Sequence, residues 1–320
     1  MPAVRRPKKG SKGFYPKKRA KRIYPRIKSW PDLKSFAILG FAGYKAGMSH
    51  VILTESNPRK RTKGQPVSTP VTVIECPPVS VLGFRCYQST PQGLKSVYDV
   101  FSEKPDKNVS RKVNIKSKSV PDQLKNLEQK KFSKIHLLCN TRPPFKKTPE
   151  IFEIAMSGDI TKQTEYAKQI LGKEIKVSDI FKQGDYIDVS SVTKGKGFTG
   201  PVKRFGIKIH GRKARKMHRH VGTLGPRHPS RIQSTVPMAG QLGFQTRTEL
   251  NKRIIKIDSG FKIKGGFPYY GDVKNEYILL EGSVPGPKKR LVRLRVPIRP
   301  PKIKYPVEIK YVSIESKQGV

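Results

Sequence analysis

The feature that most constrains this chain is a stretch of sixty residues, 189–248, that contains no aspartate or glutamate. It lies between Asp188 and Glu249 and holds thirteen lysines and arginines, four of the six histidines and nine glycines. A cationic segment without carboxylates repels itself unless a polyanion neutralises it. Because large aliphatic residues are scarce between Ile209 and Ile232, we expect the stretch to lack a hydrophobic core of its own.

Two further segments share this one-sided charge. Residues 1–31 carry twelve basic residues and residues 282–307 carry eight, and neither segment contains an acidic side chain. The formal net charge of the chain is +44, whereas the segments between these blocks mix both signs as an ordinary protein surface does. The distribution predicts three surfaces that contact a polyanion, and nucleic acid is the partner that such a bias indicates.

Length and composition bound the rest of the molecule. A chain of 320 residues that is 35% hydrophobic can build one real core with extensions attached to it. The three cysteines have no CxxC spacing and an odd count, which argues against a disulfide framework and a cysteine zinc site and favours the reducing cytosol. Because we find no membrane-span-length apolar run and no signal peptide, we expect a soluble, cytoplasmic protein.

Apolar and β-prone segments predict the body of the protein. The run 35–52, with Gly40, Gly43 and Gly47, predicts a strand, a turn and a second strand, and residues 71–88 predict two strands separated by Pro77 and Pro78. Between residues 120 and 181 the patterns indicate a helix, two strands and a second helix closed by Gly172. We interpret this segment as an α+β insertion.

Strand patterns also border the acid-free stretch. Residues 185–192 and 249–258 alternate as strands do, and residues 277–298 predict a strand, a turn and a closing strand. The sixty residues would then form a loop between two strands. A loop of that length is uncommon in a compact domain and is usually functional, so we expect it to project from the body.

The N-terminal segment, residues 1–31, interleaves its basic residues with Phe14, Tyr15, Tyr24 and Trp30. Aromatic rings can stack on unpaired bases while lysines neutralise phosphates, so the pattern favours an arm that becomes ordered on RNA. The alternative is a disordered, solubilising tail.

Three patterns could suggest catalysis or a cofactor. Residues 195–200, GKGFTG, match GxGxxG, but Pro201 and the strand-like 202–209 follow where a dinucleotide site needs a helix. The acidic residue expected about twenty positions after the glycines is also missing, because none occurs between them and Glu249. His218 and His220 have no cysteine or carboxylate nearby for a metal site, and a catalytic triad needs an orienting carboxylate. We therefore expect no enzyme activity, cofactor, metal or small-molecule substrate.

Five segments resemble those of a known family and occur in the same order along the chain. They are LGFAGYKAGMSHVI (39–52), SVTKGKGFTGPVKRFG (191–206), GRKARKMHRHVGTLGPRHPSR (211–231), MAGQLGFQTRTELNKRI (238–254) and SVPGPKKRLVRLR (283–295). Residues 10–31, GSKGFYPKKRAKRIYPRIKSWP, are similar too. The family is the universal large-subunit ribosomal protein L3, in its archaeal and eukaryotic form, and the resemblance spans nearly the whole chain.

The resemblance implies a mainly β protein with an α+β insertion, whose body is a six-stranded β-barrel like that of translation factors. The implied organisation is a basic N-terminal arm (1–34), a first part of the barrel body (35–110), the insertion (111–182), a second part of the body (183–298) and a C-terminal tail (299–320). The basic finger, about 194–246, would project from the second part of the body. The family binds large-subunit rRNA, acts early in subunit assembly and extends this finger toward the peptidyl-transferase centre. The implied partners are that rRNA and neighbouring ribosomal proteins, without membrane contact.

The family's pattern, carried over position by position, also implies the rRNA-binding residues. They are Arg5, Arg6, Lys8, Lys9, Lys12, Lys17, Lys18, Arg19, Lys21 and Arg22 in the arm, Lys194, Lys196, Lys203, Arg204, Lys208, His210, Arg212, Lys213, Arg215, Lys216, His218, Arg219, His220, Arg227, His228, Arg231 and Gln241 in the finger, and Lys288, Lys289 and Arg290 beyond it. One departure concerns the finger, where eukaryotic members carry a bulky aromatic residue. The only tryptophan here is Trp30, and residues 221–237 contain no aromatic ring besides His228.

The residues themselves also leave open a second class of protein, a free-standing nucleic-acid-binding factor. Such factors carry an RNA-recognition, KH, zinc-finger or helix-turn-helix module, and the sequence shows no signature of these. Three separated basic segments suit burial in one large folded RNA better than an open groove.

Overall fold

The computed structural model describes residues 11–103, 105–115, 119–214 and 216–318. Their contacts divide the chain into two compact units. One, called here the basic unit, comprises Met1–Ile23 and Val192–Arg247, as far as these are described. The other, called the sheet unit, comprises Tyr24–Ser191 and Thr248–Val320, again as far as described.

Strands dominate the secondary structure, so the chain is mainly β. The strands are β1 Ala37–Ile38, β2 Gly40–Thr54, β3 Pro66–Glu75, β4 Val79–Thr90, β5 Gly93–Phe101, β6 Lys134–Thr141, β7 Ile151–Ser157, β8 Glu174–Ile175, β9 Tyr186–Val192, β10 Phe198–Thr199, β11 Gly240–Gln241, β12 Thr246–Ser259, β13 Glu276–Glu281, β14 Leu291–Arg295 and β15 Ile309–Val312. The α-helices are α1 Val120–Glu128, α2 Ile160–Ile170 and α3 Pro201–Phe205, and short 3-10 turns cover Lys12–Phe14 and Lys107–Arg111. Among the described residues, no helix is long and apolar enough to cross a membrane.

The strands form two larger sheets. In the first, the order is β1-β7-β6-β4-β5, with β8 paired to β4. This sheet, with α1 and α2, contains the helices and strands predicted for the insertion, and it also includes β4 and β5. In the second, the order is β14-β9-β12-β13-β3-β2-β15, and β14 pairs in addition with β2. The pairings from β2 through β3, β13, β12, β9 and β14 therefore return to β2 and close a ring of six strands.

The prediction of a turn between residues 40 and 47 is wrong, because β2 runs without interruption from Gly40 to Thr54. The glycines serve close packing instead. A side chain at Gly43 would lie 2.6 Å from Ile74 Cγ2, and one at Gly47 would collide with the ring of Phe267. Glycine in a strand interior marks a site where another part of the protein approaches closely.

Two hydrophobic clusters stabilise the sheet unit. The larger joins both sheets, with Phe84 and Leu137 from the first and Ile74, Ile278 and Leu294 from the second. The smaller packs under β2, β3 and β13, and its members include Phe261 and Phe267. The strands predicted within residues 71–88, 185–192, 249–258 and 277–298 are present as β3, β4, β9, β12, β13 and β14. Burial in β9 and β14 is nearly continuous along the strand and does not alternate.

One further expectation, that Tyr24 stacks on RNA, is corrected by the packing of the sheet unit. Tyr24 is only 5% exposed and its hydroxyl donates to Ile151 O at 2.6 Å, while a side chain at Gly40 would lie 2.9 Å from the Trp30 ring. Tyr24 is therefore part of the core and is unavailable for stacking on RNA. The tail region 299–320 contributes β15, which pairs with β2.

Candidate nucleic-acid interface

The two ends of the acid-free stretch run alongside each other. Phe198 pairs with Gln241 and Thr199 with Gly240 across β10 and β11. Backbone hydrogen bonds extend this ladder, because Lys196 N donates to Leu242 O at 3.0 Å and Thr193 N donates to Gln245 O at 3.0 Å. A two-stranded ladder therefore holds the two ends of the long loop together.

The expectation of a strand after the glycine run is wrong. Residues Pro201–Phe205 form the helix α3, and Gly206 ends it with a left-handed backbone (φ +64°). Proline at the first helical position favours this start, since its fixed φ suits a helix and its missing N–H needs no partner there. The helix is a single short turn, and no carboxylate follows before Glu249.

Arg204, on α3, ties the two ends of the loop together. Its Nε donates to Gln241 O at 3.0 Å and its Nη1 donates to Met238 O at 2.8 Å. A side chain on Gly240 would lie 3.0 Å from the Arg204 guanidinium, so the glycine makes room for it. Gln241 folds back in the same region, with its Nε2 donating to Leu242 O and Gly243 O at 3.2 and 3.1 Å.

Three cations crowd around aromatic rings in the basic unit. Lys17 Nζ lies 5.2 Å from the centre of the Tyr15 ring and 5.4 Å from that of Phe205, and these two rings stack at 6.4 Å. Arg204 lies over Phe205 at 5.1 Å, and Arg247 lies over Phe14 at 4.8 Å. Burial, then repulsion by Arg247 and Arg204, lowers the pKa of Lys17. An anion near Lys17 would favour its charged form and raise this pKa again.

No carboxylate inside the basic unit can relieve this repulsion. Residues 1–23 hold ten lysines and arginines, residues 192–247 hold thirteen, and neither segment contains an acidic residue. The side chains of Lys194, Lys196 and Lys203 are exposed. Among the described residues of the unit, the buried apolar side chains are Val192, at its boundary, Pro201 and Pro237.

The histidines act as turn residues in this arrangement. His210 Nε2 lies 3.2 Å from His220 O, His218 Nδ1 lies 3.0 Å from Gly211 O, and His210 N donates to His218 O at 2.9 Å. The rings of His210 and His220 lie 4.8 Å apart. Within the described part of the chain, no cluster of three or more metal-ligating side chains occurs.

The implied site residues thus fall into separate groups. Those from Lys17 to Arg22 and from Lys194 to Gln241 belong to the basic unit, whereas Lys288, Lys289 and Arg290 lie on a turn of the sheet unit. Lys12 begins a 3-10 turn. Arg5, Arg6, Lys8, Lys9 and Arg215 lie outside the described residues.

The third acid-free segment, 282–307, is only in part a surface. Arg293 is 1% exposed, its Nη2 donates to Glu153 O at 2.6 Å, and its guanidinium lies 4.0 Å from the centre of the Phe152 ring. Arg295 is 5% exposed and donates to Asp188 Oδ2 at 2.6 Å. The prediction of a polyanion-contacting surface is therefore wrong for these two arginines, because carboxylates and carbonyls distant in sequence bind them.

Sequence reasoning missed Phe205 and Arg247 as members of the site. Phe205 is one residue from Arg204, and Arg247 is the last basic residue before Glu249. Nothing in the sequence spacing indicates that Phe14 lies against Arg247, because residues 15–246 separate them. The alternation of aromatic and basic residues in 11–31 is the signal that could have pointed to the Phe14 and Tyr15 contacts.

Comparison with known proteins gives one consistent result. The family model described as ribosomal protein L3 matches residues 1–319. The large ribosomal subunit protein uL3 of Methanocaldococcus jannaschii is 45% identical over 99% of this chain and 98% of its own length. That of Archaeoglobus fulgidus is 46% identical over 98% of each chain, and that of Methanopyrus kandleri is 43% identical over 98% of this chain and 92% of its own.

Proposed function

The chain belongs to the ribosomal protein L3 family, and from this membership we propose that it binds large-subunit rRNA chiefly through the basic unit. Members of this family are structural proteins of the large ribosomal subunit, in the cytoplasm, and are not enzymes. Membership also decides between the two classes of nucleic-acid-binding protein that the residues left open, in favour of the ribosomal one.

The observation that carries the proposal is the unrelieved charge of the basic unit. Its lysines and arginines, ten in 1–23 and thirteen in 192–247, have no carboxylate in the same unit. Lys17, Arg204 and Arg247 are held near Tyr15, Phe205 and Phe14 by ring contacts rather than by ion pairs. Phosphate groups are the partners that neutralise such a surface, and arginine forks suit them geometrically.

Exposed apolar side chains add to this argument. Phe198 is 80% exposed on β10, Met217 is 67% exposed and Ile232 is 52% exposed, all within the acid-free stretch. Burial of such apolar side chains against a partner contributes favourable free energy to binding. Deeply folded rRNA offers sugar and base surfaces together with phosphates, so a loop of mixed basic and apolar residues fits its interior.

The finer points of the proposal follow the family resemblance. The finger, about 194–246, extends through rRNA toward the peptidyl-transferase centre, and the protein joins the subunit early in assembly. The closed ring of six strand pairings in the sheet unit is the β-barrel of the body, flanked by the α+β insertion. The arm, finger, insertion and tail keep the boundaries that the sequence implies, and rRNA and neighbouring ribosomal proteins are the partners.

The test compares two triple variants that remove the same charge. Lys194→Gln, Lys196→Gln and Lys203→Gln together remove exposed cations of the basic unit. Lys60→Gln, Lys256→Gln and Lys304→Gln together remove cations of the sheet unit that already pair with Glu55, Asp258 and Asp185, at 2.5, 2.6 and 2.8 Å. Binding of full-length protein to a large-subunit rRNA fragment is measured over a series of salt concentrations.

Each neutralised phosphate contributes about 0.7 to 0.9 to the slope of log affinity against log salt. The first triple variant should lower the slope by about 2, and the second by less than about 1. Equal slopes for both variants would show that the basic unit is not the RNA-binding surface, and the proposal would fail.

A further inference from the structure

A tight turn in the sheet unit, Phe267–Gly271, presents one aromatic ring to solvent. Phe267 N donates to Gly271 O at 3.0 Å and Gly271 N donates to Phe267 O at 2.9 Å, which closes the turn. Phe267 is 3% exposed and stacks on Phe261 at 6.0 Å. It also fills the space left by the absent side chain of Gly47. The first residue of the turn is thus fixed in the core.

Tyr270 fixes the turn from its other side. Its hydroxyl donates to the Glu75 carboxylate, and burial together with that carboxylate raises the pKa of the Tyr270 hydroxyl. Glu75 is itself saturated, because its Oε1 also accepts from Lys274 N at 3.1 Å and from Asn275 N and Nδ2 at 3.1 and 2.9 Å. The Tyr270 ring lies 5.7 Å from the Phe145 ring.

Tyr269, between these two anchors, has the opposite environment. It is 86% exposed and its backbone lies in the left-handed region at φ +65°. That conformation is uncommon for residues other than glycine, and strained backbone of this kind concentrates at functional sites. A turn that needs only to be tight would place glycine there. Here the strained backbone position is occupied by a tyrosine, whose ring is exposed to solvent.

A second turn brings cations to the same place. Lys289 N donates to Lys45 O at 2.8 Å, which binds the turn to β2, and Arg290 N donates to Pro287 O at 3.3 Å within the turn. Lys289 is also left-handed, at φ +64°. Lys288 Nζ lies 5.3 Å from the centre of the Tyr269 ring, and Lys289 Nζ lies 5.9 Å from that of Phe145. Consecutive lysines therefore accompany two rings that are linked through Tyr270.

We propose that Tyr269 and Lys288 form a stacking platform for an unpaired nucleotide of RNA, with Phe145 and Lys289 receiving its neighbour. The choice of RNA rests on the proposed function, and the platform adds a site on the sheet unit that the basic unit does not include. A base stacks on the open part of the Tyr269 ring while Lys288 neutralises the adjacent phosphate, the combination by which proteins bind single strands. The segment 282–307 contributes no carboxylate that would repel the phosphate.

The experiment uses full-length protein with Tyr269→Leu, which removes the π-face, and Tyr269→Phe, which keeps it. Both side chains meet the same left-handed backbone as tyrosine, so the turn is equally strained in each. Tyr311→Leu is the matched control, because Tyr311 is a 41% exposed tyrosine elsewhere in the sheet unit. Affinities for single-stranded poly(U) and for an RNA duplex are measured at high salt, where non-specific phosphate contacts weaken.

Tyr269→Leu should weaken poly(U) binding by about 5- to 140-fold, the range of stacking one base on an aromatic ring, and leave duplex binding unchanged. Tyr269→Phe and Tyr311→Leu should both stay within about twofold of the wild type. Lys288→Gln should lower the salt slope for poly(U) by about one phosphate contact, which gives a second test that leaves the ring in place.

Unchanged poly(U) binding by Tyr269→Leu, with rRNA binding intact, would overturn the platform and leave the proposed function standing. An equal loss for poly(U) and duplex would also overturn it, because stacking on an unpaired base cannot act on a duplex. If Tyr269→Leu left both RNAs unaffected but released a neighbouring ribosomal protein from the subunit, the patch would be a protein interface. Failure of the wild type to bind any rRNA would instead refute the proposed function.

Discussion

The basic unit and the sheet unit handle charge in opposite ways. All 23 aspartates and glutamates of the chain lie within residues 24–191 and 248–320, the sheet unit. There they bind cations, as Asp188 binds Arg295 and Glu153 binds Arg85 at 2.8 Å. The basic unit has cations and no carboxylate. The two units also differ in burial, because the residues of both hydrophobic clusters belong to the sheet unit.

The two units therefore differ in the source of their folding free energy. The sheet unit buries apolar surface and satisfies its charges internally, so its own residues suffice to stabilise it. The basic unit gains little from burial and suffers self-repulsion, so we expect its order to depend on an added polyanion.

The largest effect is expected for Asp188→Ala in the sheet unit. The carboxylate is fully buried and accepts from Arg295 Nη2 at 2.6 Å, Asn251 N at 3.0 Å and Ile298 N at 3.2 Å. Its removal leaves Arg295 as a buried, uncompensated charge, which costs about 3–5 kcal/mol. Denaturant-induced unfolding of the free protein measures this loss.

The matched control is Asp258→Ala, which also removes a carboxylate from an ion pair. Asp258 binds Lys256 at 2.6 Å, but its side chain is 45% exposed. Exposed ion pairs contribute about 0–1 kcal/mol, so this variant should unfold nearly as the wild type does. Similar losses for both variants would contradict the view that internal pairing stabilises the sheet unit.

Much of the sheet unit could be predicted from sequence because its strands are apolar, β-prone runs bounded by glycine and proline. The strands flanking Pro77 and Pro78 and the helices of the insertion follow from local patterns. The glycines of β2 misled that reasoning, since Gly43 and Gly47 are required by Ile74 and Phe267, which are distant in sequence. The ring of pairings also depends on partners far apart along the chain, which periodicity cannot identify.

The candidate site was predictable in its charge and not in its contacts. The absence of carboxylates predicts the long loop, and the alternation of basic and aromatic residues predicts the arm. Neither pattern indicates that Tyr24 enters the core or that Arg293 lies against Phe152, because both contacts depend on the packed sheets. Tyr269 was missed for a similar reason, since its exposure follows from how Phe267 and Tyr270 are anchored.

A smaller, pH-dependent effect is expected for Glu153. Burial opposes ionisation of this carboxyl, but nearby His136, the Tyr87 hydroxyl and Arg85 outweigh burial and lower its pKa from 4.5 to about 2. A lowered pKa contributes stability that is complete above the unfolded value and is lost as the pH falls toward the folded one. With allowance for solvent screening, the contribution is about 1–2 kcal/mol.

Unfolding free energies of the wild type and Glu153→Gln therefore should differ most above about pH 5 and converge as the pH falls to about 2. The comparison with Glu153→Gln cancels the titration of the other carboxyls. A difference that stayed constant over this range would show that the ionised carboxylate does not stabilise the first sheet.

The smallest effect on stability, and the most specific one on function, is expected for Gly225→Ala in the finger. Gly225 has φ +138°, a conformation that alanine avoids, whereas a side chain at Gly222 would meet only His210 Cε1 at 3.6 Å. The cost of about 1 kcal/mol is local and leaves the sheet unit folded. Gly222→Ala is the matched control.

Large subunits that contain Gly225→Ala should carry the protein at normal occupancy but form peptide bonds more slowly, whereas those with Gly222→Ala should behave as the wild type does. Normal peptide-bond formation by both would argue that the finger contributes only charge. The measurement is occupancy and peptide-bond formation on purified subunits.

Amide hydrogen exchange of the protein, free and within the large subunit, tests the division between the two units most directly. Amides of β3, β9 and β13 in the sheet unit should be protected equally in both states. Amides of residues 207–235 in the basic unit should exchange rapidly in the free protein and become protected only in the subunit. Protection of residues 207–235 in the free protein to the level of β13 would contradict the account, because the basic unit would then be stable without RNA.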